Sequence, residues 1–261
     1  MFRIVQLSDL HCGQQFFLPQ HLERAIAEVN EMEPDVVVIS GDLTTNGFKD
    51  EYVLAREYLN RVECEAMVVI PGNHDSRNVG YVHFEDLFGD RNSVLRVGNA
   101  TIVAVDSTEP DLDNGQIGRG RYRWIEEQFA DAPAELRVFV LHHHLLPVPG
   151  TGRERNIVND AGDTLETLQR AGVDLVLAGH KHVPYAWRLE DLFVVNAGTV
   201  SSSRLRGKGR ACYNVVEVEG THVDVWRRYP FHGQERIIQF STDTKTYEKY
   251  TARIEDEVRS T

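Results

Sequence analysis

Five short apolar runs in this chain each end in groups that can hold a cation or move a proton. FRIVQLS leads into Asp9-Leu10-His11, VVVIS into Gly41-Asp42, and MVVIP into Gly72-Asn73-His74-Asp75. RVFVL leads into His142-His143-His144, and VDLVLA into Gly179-His180-Lys181-His182. Carboxylates, imidazoles and an amide form a donor set suited to Mn, Fe, Zn or Co, with no thiolate needed. Asp9 and His11 are two residues apart, as are His180 and His182. On an extended strand end such pairs point the same way and can aim two ligands at one side. A single Asp after a strand usually caps a helix, and a single His is usually a surface or satisfied interior group. Five such endings in succession point instead to a dinuclear metal site. The GNHD stretch adds something a turn does not need, a His and an Asp after the Gly and Asn.

Strands are expected over Phe2–Leu7, Asp35–Ser40, Ala66–Ile70, Ala100–Asp106, Arg137–Leu141, Val173–Ala178, Leu192–Asn196, Ala211–Val218 and Thr221–Arg228. These runs are rich in Val and Ile and bounded by turn residues. Leu22, Ile26 and Val29 recur at helical spacing, with Pro34 past the end. Glu51–Arg61, Arg121–Phe129 and Asp163–Arg170 also read as helices. Alternation of strand and helix through the first two thirds predicts an α/β fold with buried, largely parallel strands. From Leu192 onward strands follow one another, which predicts an antiparallel portion. In open α/β sheets ligands gather at the carboxyl ends of the strands. Gly41, Gly72 and Gly179 let the backbone turn sharply there. No linker or repeat interrupts the chain, so residues 1–261 read as one domain, with about 240–261 a peripheral hairpin or helix.

DLH, GD, GNHD, the HH run and GHKH stand in the order of the calcineurin-like metallophosphoesterases, and over roughly Met1–Arg228 the chain resembles that family. Within it the likeness is to bacterial class III cyclic-nucleotide phosphodiesterases and glycerophosphodiesterases. The resemblance implies a four-layer αββα sandwich with two mixed β-sheets and two divalent metal ions at the C-terminal strand edge. One ion would be held by Asp9, His11, Asp42 and His182, the other by Asp42, Asn73, His142 and His180. His74 would stand beside them as the catalytic acid. The family usually reads His-x-Pro at the fourth block. Here Leu145 and Leu146 precede Pro147, so His142 is the expected ligand and His143 the alternative, with His144 behind or at the rim. The implied reaction is hydrolysis of a small phosphodiester by a metal-bridging hydroxide, with His74 assisting the leaving group. Two divalent ions, two Asp and one hydroxide leave about +1 by formal count, which matches a diester monoanion. Asn73 ligates without cancelling that charge, so Asn73→Asp is expected to tighten metal binding and raise KM. Asp75 would fix the His74 ring or cap the next helix. A phosphomonoesterase, a nuclease and a metal-binding scaffold without turnover share the same family pattern.

The formal charge is −12, and nucleic-acid affinity rests on basic patches, so a nucleic-acid polymer is not the expected partner. No apolar run approaches the length of a membrane span, and the chain enters a strand at once with no room for a signal peptide. Cys12, Cys64 and Cys212 make no disulfide framework. A cytoplasmic enzyme is the resulting expectation. Relatives of this kind are often dimers, so a homodimer is allowed. Pro147–Asp160, with Arg153 and Arg155, is the first place expected for substrate contacts; the basic stretch Arg204–Arg210 either lines the substrate mouth or, as is commoner for such a run, is a solvated loop. Ile117–Phe129 reads as packing, and Cys12 as buried filler.

Overall fold

In the computed structural model, residues 1–13, 15–130, 136–151, 156–205 and 209–250 are described. In chain order the elements are β1 (Phe2–Leu7), α1 (Pro19–Met32), β2 (Val36–Ser40), α2 (Lys49–Leu59), β3 (Met67–Ile70) and α3 (Gly80–Phe88). Then come β4 (Ser93–Val97), β5 (Ala100–Ala104), α4 (Arg119–Ala130), β6 (Leu136–Val140), α5 (Ala161–Arg170) and β7 (Leu175–Ala178). The chain continues through β8 (Tyr185–Leu189), β9 (Leu192–Asn196), β10 (Tyr213–Glu219), β11 (His222–Tyr229), β12 (Gly233–Ser241) and β13 (Tyr247–Lys249).

Two mixed sheets stack face to face, in the orders β13-β12-β11-β10-β1-β2-β3 and β4-β5-β6-β7-β9-β8. The side-chain period of two in each strand divides the apolar residues between two cores. Ile4, Val36, Val38, Val68 and Ile70 face Ile102, Val138, Leu177 and Val195 across the gap between the sheets. Their sequence neighbours Val5, Leu7, Val37 and Ile39 face outward onto Leu22, Ile26, Tyr52 and Phe84 of the first three helices. On the other side Val103, Phe139, Val176 and Val194 meet Ile125, Phe129, Leu165 and Leu168 of α4 and α5. This is the expected αββα sandwich. Ile117 and Phe129 are core residues, as the packing reading required.

Three expectations change. The Leu192–Asn196 strand is not the start of an antiparallel portion: β9 lies parallel to β7. Its neighbour β8 forms an antiparallel hairpin at the sheet edge, so antiparallel pairing of the first sheet begins at β10. No strand was expected between Arg228 and the tail, yet β12 runs from Gly233 to Ser241 and pairs with β11 along its length. The tail is a hairpin, with β13 on β12, and residues 251–261 lie outside the described residues. Third, α3, β4 and β8 escaped the sequence pattern. Among the described residues no helix is long and apolar enough to cross a membrane.

Candidate metal centre

β1, β2 and β3 are parallel neighbours, as are β6 and β7. The loops leaving their carboxyl ends therefore meet at one edge of the two stacked sheets. Backbone hydrogen bonds lock these loops together: Asp9 N–H to Gly41 O at 2.9 Å, His11 N–H to Asp42 O at 2.9 Å, and Gly179 N–H to His142 O at 2.9 Å. Thr199, past β9, donates its hydroxyl to Asp9 O at 2.6 Å.

The two-apart pairs do not converge by strand alternation. Asp9, His11, Asp42, His180 and His182 all have left-handed backbone, with φ of 54°, 51°, 53°, 77° and 56°. The chain has left the strand before each ligand, and the left-handed turns swing the side chains inward. Such conformations cost about 1 kcal/mol or more for a non-glycine residue and persist where surroundings over-determine them.

The result is two overlapping groups, Asp9, His11, Asp42 and His182, and Asp42, His142 and His180, each with donor atoms within 4.8 Å of one another. Asp42 belongs to both. Its Oδ2 lies 3.7 Å from His11 Nε2 and 3.3 Å from His142 Nε2. Asp9 Oδ1 is 3.3 Å from His182 Nε2. Asn73 completes the second group, its Oδ1 lying 2.9 Å from His180 Nδ1 and 3.2 Å from His142 Nε2. His142, rather than His143, turns toward Asp42. His143 Nδ1 is engaged by Ser107 Oγ at 2.8 Å instead. His144 is no rim residue: it is buried and stacks behind His180 with ring centroids 5.6 Å apart.

The donor chemistry suits divalent ions. His142 donates Nδ1–H to Ser40 O at 2.8 Å and His182 donates Nδ1–H to Arg204 O at 2.7 Å, which leaves each Nε2 to face the cluster. His11 Nε2 and His182 Nε2 face each other at 2.9 Å, while His11 Nδ1 is buried without a hydrogen-bond partner. Two imidazole nitrogens this close share a proton in the absence of a cation, and with that proton gone their lone pairs would converge on a bound ion. Charge tells the same story. Asp9 and Asp42 are fully buried, and burial disfavours their ionisation. His182 nonetheless holds Asp9 below the usual carboxylate range, and His142 with its neighbours does so for Asp42. Burial pushes His11 down to about 3. It also opposes charge on His142, but Asp42 outweighs it and pushes that ring up to about 9. Without a cation, the buried carboxylates draw protons onto imidazoles; a divalent ion would replace them.

His74 stands at the cluster's open side, its ring 4.8 Å from that of His11 and edge-on. Thr45 O lies 2.6 Å from His74 Nδ1. A carbonyl only accepts, so Nδ1 carries the hydrogen and Nε2 is left for the cavity. Asp75 neither fixes this ring nor caps α3. It accepts from Leu43 N–H, Thr44 N–H, Thr44 Oγ1–H and Gly72 N–H at 2.7–3.0 Å, bracing the turns after β2 and β3 against each other. Burial and the Asp42 charge push it up to about 7 despite those donors.

That brace brings Gly72 so close that an added Cβ would strike the Asp42 carboxylate and backbone. Gly72→Ala should therefore displace Asp42 from both groups. We expect a loss of two-ion binding by calorimetry, with secondary structure unchanged by circular dichroism.

A cavity of about 590 Å³ opens over the cluster, lined by His74, Arg77, Asp113, Asn156, Lys181 and Arg204 besides the cluster residues, with Phe16 and Leu205 as apolar wall. Arg204 lies over the Phe16 ring at 5.3 Å. Of the two loops singled out for substrate contacts, Asn156 and Arg204–Leu205 reach this cavity. Arg153, Arg155 and residues 206–208 lie outside the described residues. Arg77 and Asp113 were missed by sequence reasoning. Arg77 is three residues past His74, within the same turn, and could have been read from that spacing. Asp113 sits in an acidic loop that carried no signal.

A family model described as calcineurin-like phosphoesterase matches residues 2–184. The chain is 27% identical over 201 residues to the 3′,5′-cyclic adenosine monophosphate phosphodiesterase of Escherichia coli K12, covering 70% of this chain and 66% of that protein. It is 29% identical over 154 residues to a probable glycerophosphodiester phosphodiesterase of Arcobacter nitrofigilis, covering 54% of this chain and 56% of that one. Among solved structures, the purple acid phosphatase from yellow lupin superposes with a TM-score of 0.72 at 16% identity, over 89% of this chain and 52% of that chain.

Proposed function

Since the chain belongs to the calcineurin-like phosphoesterase family, we propose that it is a dinuclear-metal phosphodiesterase acting on small diesters of the cyclic-nucleotide or glycerophosphodiester type. The observation that carries this reading is Asp42, one buried carboxylate shared by two donor groups, whose partners His11, Asn73, His180 and His182 line a cavity of about 590 Å³. That volume is in the range of small-molecule sites. The similar cyclic AMP and glycerophosphodiester enzymes support the diester class.

Asp9, His11, Asp42 and His182 would hold one divalent ion, and Asp42, Asn73, His142 and His180 the other. When bound, such a pair supplies Lewis acidity at the phosphoryl oxygens and a nucleophile at neutral pH. The rest falls to the chain. Asn73, being neutral, leaves the floor of the cavity net positive toward a monoanionic diester. Arg77 adds a guanidinium beside His74. The ring of His74 is held through Nδ1–H by Thr45 O, so in its protonated, imidazolium form it is Nε2–H that faces the cavity and would give its proton to the departing oxygen as charge grows there, leaving the neutral ring.

The test is hydrolysis of bis(p-nitrophenyl) phosphate by metal-stripped protein titrated with Mn²⁺. p-Nitrophenyl phosphate, 2′,3′- and 3′,5′-cyclic AMP and duplex DNA run in parallel. Mn²⁺-dependent turnover of the diester above the monoester is the expected result. A monoester preference would make it a phosphomonoesterase, and preferred cleavage of DNA a nuclease. No turnover with two ions bound would leave a scaffold.

A further inference from the structure

An asparagine side chain has two ends of opposite character, and only one can ligate a cation. For Asn73 to serve, Oδ1 has to face His142 and His180, as it does at 3.2 and 2.9 Å. Nothing in the amide itself enforces that choice. The enforcing group lies on the far side: Asn73 Nδ2 donates to Asp113 Oδ1 at 3.1 Å. A carboxylate accepts and cannot donate, so only the NH₂ end can face it.

Asp113 is brought there by the loop after β5, which is pinned along its length. Asp111 N–H reaches Ser76 O at 3.3 Å, Gln116 N–H reaches Ser107 O at 2.9 Å, and Gly115 N–H reaches Ile157 O at 3.1 Å. The Asp111 carboxylate in turn accepts from Asn78 N–H at 2.9 Å. Gly115 packs so tightly on the loop's foot that a Cβ would sit 2.6 Å from the His143 ring. The same Asp113 Oδ1 takes Arg77 Nη2 at 2.5 Å, and Arg77 Nη1 lies 3.0 Å from His74 Nδ1. One oxygen thus ties a ligand amide to the guanidinium next to the acid.

We propose that Asp113 is a positioning residue of the metal centre, locking the Asn73 amide with its oxygen toward His142 and His180. This rests on the reading of the site as dinuclear. The plainer account is a surface ion pair with Arg77, since the Asp113 side chain is 51% exposed and such pairs contribute little. The two accounts separate in which substitution disturbs the metal.

The experiment is a calorimetric Mn²⁺ titration of metal-stripped wild type, Asp113→Ala, Asp113→Asn and Arg77→Ala, with thermal unfolding in chelator for each. Groups that orient ligands are worth about 10–100-fold in metal affinity. Asp113→Ala is expected to weaken one of the two binding steps by that factor and leave the other unchanged. Asp113→Asn keeps an acceptor for Nδ2 and restores most of the loss. Arg77→Ala leaves both steps as in wild type. All four should unfold at the same temperature in chelator. Equal titrations for wild type and Asp113→Ala would overturn the proposal. So would an Arg77→Ala loss as large as that of Asp113→Ala, or a fall of both steps together. A wild type that binds two ions but turns over no diester would overturn the proposed reaction and leave the Asp113 role standing. A wild type that binds one ion only would overturn the lock whatever the turnover.

Discussion

Replacing Asp42 by Asn is expected to end catalysis while leaving the fold intact. Among the described residues Asp42 is the only side chain common to both donor groups, so the loss of its charge would weaken the hold on both ions at once. Metal catalysis is worth several kcal/mol of transition-state charge stabilisation. At about 1.4 kcal/mol per tenfold, diester turnover should fall by about a thousandfold or more. The fold should survive for two reasons. Asn is among the few residues that accept a left-handed backbone, the conformation Asp42 holds at φ 53°. It also matches the carboxylate in size and so opens no cavity, although the pairing with His142 is lost. The check is a pair of measurements on one sample. The Mn²⁺ titration should lose both steps, and metal-free unfolding should remain a single cooperative transition with unchanged secondary structure, at a temperature no higher than that of wild type because the Asp42–His142 pairing is lost. A variant that keeps turnover within tenfold of wild type would remove Asp42 from the centre.

Truncating His74 to Ala is the second large effect, and its signature lies in the leaving group. His74 lines the cavity but stands in neither donor group, so Mn²⁺ should bind as in wild type. General acid catalysis supplies about 10²–10⁴-fold. That contribution matters least when the departing oxygen is already a weak base. With p-nitrophenyl diesters the loss in kcat should be at the low end of this range, and with alkyl diesters at the high end. A loss equal for both would mean that His74 only shapes the cavity. Thr45→Gly tests a different point: because the Nδ1 hydrogen bond is made to a backbone carbonyl, this substitution should leave ring orientation and kcat largely unchanged.

The ligands could be read in the sequence because each follows a strand whose apolar run is unmistakable. VVVI and LVLA are buried on both faces, so they carry continuous Val, Leu and Ile, and the first polar residue marks the edge of the sheet. The elements that were missed lack that contrast. β12 reads Gly-Gln-Glu-Arg-Ile-Ile-Gln-Phe-Ser, with its polar half exposed where the sheet thins toward its edge. α3 begins at a left-handed Val79 with no side-chain cap, so none of the usual start signals was present. Asp75 was assigned a neighbour in sequence when its partners, Leu43 and Thr44, lie about thirty residues back and are met only through the turn after β2. Asp113 fails for the same reason. Its importance lies in a 3.1 Å contact with a residue forty positions away, and no local pattern encodes that.

The left-handed turns at Asp9, His11, Asp42, His180 and His182 bear on how such a protein would drift under laboratory selection. Each holds a side chain where glycine would sit more comfortably, so the centre is a patch of local instability tolerated for what it binds. A library screened for abundance alone, in medium without metal, would therefore be enriched for glycine or asparagine at these five positions. The same library screened for turnover would be purged of them. Abundance scores and activity scores, plotted position by position along the chain, should part company at these three loops and run together in the strands beneath them.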